Sequence, residues 1–144
     1  MLWGMIMTLD NLKNLANIGS LNAEPVDKRE FNGLVVSASD RLNDVFGGRL
    51  SYASRFDLTY NAAHALALAA LRFYGYRSDK RYLVFQCLAH TLNLSESTIR
   101  IFSLCHDRRN LAEYEGDFNV DEMLLSELEK YTKELFDKVS ELKL

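Results

Sequence analysis

The chain of 144 residues contains one proline, Pro25, and two cysteines, Cys87 and Cys105. With no proline after residue 25, the breakers that separate the many short strands of a β-sandwich or barrel are missing. Two cysteines are too few for a disulfide framework or a thiolate zinc site. The three histidines, His64, His90 and His106, have no metal-ligand spacing, and no HExxH or CxxC pair occurs, so neither a metal nor a cofactor is expected. Gly47 and Gly48 stand alone between periodic segments, which makes them a helix stop and not a phosphate-cradling loop. Signatures of a Ser or Cys nucleophile are absent. Apolar runs fall far short of the ~20 residues that span a bilayer. The opening MLWGMIM has no Lys or Arg and its apolar stretch ends by Asp10, unlike a secretory signal. A cytoplasmic domain without membrane contact is the expectation.

What is present is the patterning of an all-α protein. The length suits a single domain over 1–144, with 1–24 as an N-terminal extension carrying a short helix at about 8–18. Between Asp27 and Phe46, apolar residues at Phe31, Leu34, Val35, Ala38, Leu42, Val45 and Phe46 line one helix face. From Arg55 to Tyr74, the stripe of Leu58, Ala62, Leu66, Ala69 and Phe73 is joined by Ala63, Ala67 and Leu71. Between Ala62 and Leu71 the only polar residue is His64, so this helix is expected at the centre of the bundle. His64 and His90 themselves read as core histidines with satisfied ring nitrogens. Further helices are predicted at about 81–92, 96–114 (capped by Ser95 and stopped at Gly116) and 120–142. The sum is a bundle of about five helices with one or two short extras.

The net charge of −3 hides an uneven distribution. Residues 41–109 hold 10 basic and 5 acidic side chains, or +5, whereas residues 110–144 hold 4 and 10, or −6. Two readings of the basic middle stand side by side. Its arginines, among them Arg77, Arg81, Arg108 and Arg109, either form a phosphate-facing patch or are solvated faces packed against the acidic C-terminal helix. Tyr74, Tyr76 and Tyr82, interleaved with Arg72, Arg77 and Arg81, offer rings on which bases stack, or else cap one end of the bundle.

The helix at 96–114 breaks its own pattern. It begins apolar with Ile99, Ile101, Phe102, Leu104 and Cys105, then runs through His106, Asp107, Arg108, Arg109 and Asn110 before Leu111. Five successive residues at about 100° each circle a helix, so one or two of these polar groups must point where the core face was heading. Such local conflict is where functional residues are expected. His106, Asn110 and Tyr114 follow one another at i, i+4 and i+8, while Arg109 and Glu113 can pair across one turn.

The segment RNLAEY (109–114) resembles the Arg-polar-x-x-x-His motif of HEPN domains, the "higher eukaryotes and prokaryotes nucleotide-binding" superfamily. FDLTYNAAHALALAALRFYGYR (56–77) is similar to the long second helix of one bacterial branch, and VFQCLAHTL (84–92) to its short connecting helix. The resemblance implies a helical bundle that dimerises, with the motif helices of two subunits flanking a cleft. It implies RNA or a nucleotide as ligand, and for some members a nucleotidyltransferase as partner protein in a toxin–antitoxin or defence pair. Carried over residue by residue, Arg109 matches the motif's Arg and Asn110 its polar position. The His position is occupied by Tyr114, whose phenol, with a pKa of about 10, is a poor general base. The expected function is therefore a binding module with weak or no nuclease activity. The alternatives are an active metal-independent ribonuclease, with His106 substituting, and a non-catalytic homodimeric adaptor. Candidate site residues are Arg109, Asn110, Tyr114 and His106 for chemistry, and Arg108, Arg109, Arg77 and Arg81 for phosphate.

Overall fold

The computed structural model describes the backbone of residues 2–144 and the side chains from Leu9 onward. Five long helices, α1 (Leu2–Asn17), α2 (Lys28–Phe46), α3 (Tyr52–Phe73), α6 (Glu96–Glu115) and α7 (Glu122–Ser140), form the bundle. Two short ones, α4 (Arg81–Gln86) and α5 (Leu88–Thr91), connect α3 to α6, and a two-residue antiparallel ladder joins β1 (Asn22–Ala23) to β2 (Tyr76–Arg77). The all-α bundle with short extra helices is as the periodicity predicts.

Local chemistry sets the helix ends. The side chains of Asp27, Ser51, Ser95 and Asp121 each accept the backbone N–H three residues on, satisfying one orphan donor at the start of α2, α3, α6 and α7. Gly116 ends α6 at φ +70°, a left-handed backbone that glycine adopts without steric cost. Two boundaries differ from the sequence reading. The first helix begins at Leu2 and not near residue 8, and the segment at 81–92 divides at Cys87 into α4 and α5.

α3 is the central element. Phe56, Tyr60, Ala62, Ala63, Leu66, Ala67, Ala69, Ala70 and Leu71 are all buried, so its surface is covered on nearly every side. It packs against α2 and α7, and its alanines let those helices approach closely. Leu12 of α1, completely buried, reaches the same core as Leu42 of α2, Phe85 of α4, Phe102 of α6 and Leu135 of α7. The acidic α7 is fastened to the start of α3 by Glu129, which takes both Nε (3.3 Å) and Nη2 (2.7 Å) of Arg55. No described helix is long and apolar enough to cross a membrane.

Candidate functional site

The first half of α6 buries Ile99, Phe102 and Cys105. Continuing the same 3-4 spacing from Phe102 leads to His106, Arg109 and Glu113, so His106 and Arg109 are the members of the polar run on the helix face that points at the core. What receives it on α3 is Tyr60, completely buried. The Tyr60 hydroxyl lies 2.8 Å from Nδ1 of His106, and the two rings stack at 6.3 Å with 20° between their planes. Nε2 of His106 meets the side-chain amide of Asn110 at 3.3 Å. Two guanidinium groups lie close to the Tyr60 ring. Arg109 stands 5.2 Å and Arg81 5.7 Å from its centroid. Arg109 pairs with Glu113 at 3.1 Å, and Arg81 donates to Oδ1 of Asn61 at 3.2 Å. One turn along α3 from Tyr60, His64 sets its ring edge-on to Phe85 at 5.9 Å.

Burial dominates the electrostatics. It pushes His64 down to about 4, with Arg81, Arg109 and His106 adding to the effect. It also lowers His106, where Arg81 and Arg109 act in the same direction and Asp107 opposes them. Tyr60 is raised by burial, against the pull of Arg81 and Arg109. At neutral pH both imidazoles and the phenol are therefore uncharged, and the fixed charges are two cations with Glu113, half exposed, as the paired anion. The proton on His106 follows from hydrogen-bond economy. Nδ2 of Asn110 faces Nε2 and donates to it, which puts the imidazole proton on Nδ1, where it is donated to the Tyr60 hydroxyl oxygen. Two buried nitrogens of this cluster, Nε of Arg109 and Nε2 of His64, have no partner among the described residues.

Beside Arg109 lies a groove of about 320 Å³ between α3, α6 and the segment that follows α6. Ala53, Phe56, Asp57, Ala112, Glu113 and Phe118 complete its walls. A shallower depression of about 380 Å³ surrounds Asn110, Leu111 and Tyr114.

Of the residues singled out in the sequence, the fold brings His106, Arg109, Asn110 and Arg81 together around Tyr60. Tyr114 is not among them. Each step of four residues advances about 40° round the helix, so the row that starts at His106 has left the inner face by Tyr114, which is 80% exposed. Arg108 is rotated about 100° from Arg109 and turns to the α7 side, where it and Glu127 act on the Cys105 thiol. Arg77 lies in β2, with its guanidinium occupied by Glu24 (2.9 Å to Nε) and by Glu30, and no contact ties it to the Tyr60 cluster. Arg72 is buried and bound to Glu30 and to the carbonyls of Glu24 and Pro25. The arginines of 72–109 do not form one patch, because carboxylates of α2 and the preceding loop neutralise Arg72 and Arg77. His64 also differs from the expected satisfied core histidine, since its Nε2 is sealed without a partner. Tyr60 and Asn61 were not among the sequence candidates. The signal that could have found them is the Tyr60-Asn61-x-x-His64 spacing, the polar interruption in an otherwise apolar helix.

No described group of three or more His, Cys, Asp or Glu side chains could hold a metal ion. Comparison with family models, with curated proteins and with solved structures finds no match to this chain.

Proposed function

We propose that this chain is a HEPN-like module that binds RNA or a nucleotide through Arg109 and Arg81 and has weak or no nuclease activity. The observation that carries the reading is the pair of guanidinium groups 5.2 and 5.7 Å from the Tyr60 ring centroid, with Arg109 lining the adjoining groove. Arg109 is partly exposed and its ion-pair partner Glu113 is half exposed, so its accessible N–H groups can turn to a phosphate that enters the groove. The planar guanidinium fork donates to two oxygens of a phosphate at once, which a point cation such as Lys does not. The adjoining aromatic groove is the kind of surface on which single-stranded RNA lays its bases.

The same geometry argues for weak chemistry. Tyr114, at the His position of the motif that this chain resembles, is exposed and has no part in the cluster. His106 is neutral at pH 7 but both ring nitrogens are engaged, by Tyr60 and Asn110. A base must have a free nitrogen within reach of the proton it takes. The reading includes a homodimer. Leu104 and Leu111, half-buried, lie on the side of α6 opposite Phe102, next to exposed Tyr114.

The test is binding of a fluorescein-labelled single-stranded RNA by anisotropy at low salt. Arg109→Ala is expected to weaken binding about 10- to 100-fold, the worth of a charge-assisted hydrogen bond, and to reduce the salt slope by about 1. The helix content should stay as in the wild type. Loss of folding in Arg109→Ala, together with no RNA binding by the wild type, would make Arg109 purely structural.

A further inference from the structure

The groove beside Arg109 has features that phosphate binding does not require. Its floor is aromatic, with Phe118 edge-on to Phe56 at 5.6 Å and to Tyr52 at 5.9 Å. Those two contacts hold the Phe118 ring in place while leaving it 37% exposed, the condition for stacking something against it. Ala53 and Ala112 contribute only methyl groups to the walls, which is why a volume of about 320 Å³ remains open between two packed helices. That is near the lower limit of small-molecule pockets and suits one flat ring system with its sugar.

The groove also holds an unoccupied carboxylate. Asp57 is exposed, one residue after buried Phe56, and its side chain makes no hydrogen bond or ion pair among the described residues. Glu113, the other acid in the wall, is already committed to Arg109 at 3.1 Å. An unpaired carboxylate in the same groove as Arg109 repels every phosphate that approaches. It lowers affinity for RNA in general and restores it only for a base that can donate to it, which is the pattern of a specificity element.

We infer that the groove takes a guanine base of single-stranded RNA, stacked on Phe118 with its Watson–Crick edge on Asp57, while Arg109 holds the adjoining phosphate. This inference rests on the RNA-binding reading above. Guanine presents two adjacent donors on that edge, N1–H and N2–H, and a carboxylate presents two acceptor oxygens at matching separation. Adenine and cytosine offer one donor beside an acceptor nitrogen. Uracil offers one donor between two carbonyl oxygens, both of which the carboxylate repels. A site built on two hydrogen bonds to a charged acceptor rejects bases that cannot make both.

The experiment uses the full chain and labelled RNA heptamers of sequence UUUGUUU, UUUUUUU and UUUIUUU, where I is inosine, which keeps N1–H and lacks the N2 amine. By anisotropy, wild type is expected to bind the guanine heptamer about 10-fold tighter than the all-uracil one, with the inosine heptamer between them. Asp57→Asn, an exposed and nearly isosteric change, should abolish that preference while leaving or slightly raising the affinity for UUUUUUU. Phe118→Ala should weaken the guanine heptamer most. Equal affinity for all three heptamers, with binding still dependent on Arg109, would overturn the guanine site and leave the RNA reading standing. A guanine preference that survives Asp57→Asn would overturn the assignment of its recognition to this carboxylate. No binding of any heptamer by wild type would overturn both readings.

Discussion

At the scale of single residues, His64 is the most informative group in the cluster. Its Nε2 is buried without a partner, and burial pushes its pKa down to about 4. In the unfolded chain the same imidazole titrates near 6.5. Above that pH both states are neutral and His64 adds no pH dependence. As pH falls from about 6.5 to 4 the unfolded chain binds a proton that the native state refuses, so stability declines, by about 2 kcal/mol at pH 5 and about 3 kcal/mol at pH 4. His106 and His90, also lowered by burial, act in the same sense. His64→Leu removes both the stranded nitrogen and its titration. Urea denaturation at pH 7 should find the variant about 1 kcal/mol more stable than wild type, and its loss between pH 7 and pH 5 should be the smaller. An unchanged loss in the variant would assign the acid sensitivity to other groups.

At the scale of elements, the turn that closes α3 depends on a buried ion pair. Gly75 takes φ +86° there, and a Cβ would meet the carbonyl of Glu24 at 3.4 Å, so the chain reverses tightly against the loop before α2. Arg72, only 3% exposed in its side chain, donates to Glu30 at 2.5 Å and to the carbonyls of Pro25 and Glu24. These bonds hold the β1–β2 ladder and the entry to α2 on the end of the central helix. Arg72 and Arg77 in turn keep Glu30 below its ordinary carboxylate range. Arg72→Met removes the donors to the carbonyls of Glu24 and Pro25, in a partly exposed loop, and leaves Glu30 still paired with Arg77 and partly hydrated. The expected cost is about 2–3 kcal/mol, below the roughly 3–5 kcal/mol of a fully stranded charge. Chemical denaturation monitored by circular dichroism measures it. A cost below about 1 kcal/mol would mean that the loop is held by its backbone contacts alone.

At the scale of the whole molecule, the opposed charges of the middle and C-terminal segments are partly resolved inside the chain. Arg55 and Glu129 clamp α7 to α3, and Glu24 and Glu30 neutralise Arg72 and Arg77. The arginines of the Tyr60 cluster keep less compensation, with Glu113 as the paired carboxylate there. A homodimer that used the outer side of α6 would cover Leu104, Leu111 and Tyr114. Sedimentation at about 20 μM, a concentration above the dissociation constants of most obligate dimers, is expected to give twice the 16.5 kDa of the chain. A monomer at that concentration would remove the dimer from the proposal.

The helices, their order and most of their ends were legible in the sequence, because periodicity and capping are local. Ser95 and Gly116 act at α6 through groups within a few residues. The conflict in α6 was legible too, since five polar residues cannot all avoid a core face. The partner of that conflict was not. Tyr60 lies 46 residues from His106, and nothing local distinguishes its hydroxyl from that of any other aromatic on an apolar helix. The same holds for Arg77 and Arg109. Both are arginines in one basic stretch, and only the fold delivers Glu24 and Glu30 to the first while leaving Nε of the second without an acceptor. Local chemistry determined which segments are helical. Which of their charges are neutralised by carboxylates of other elements was decided by tertiary packing, because that depends on distances between elements far apart in the chain.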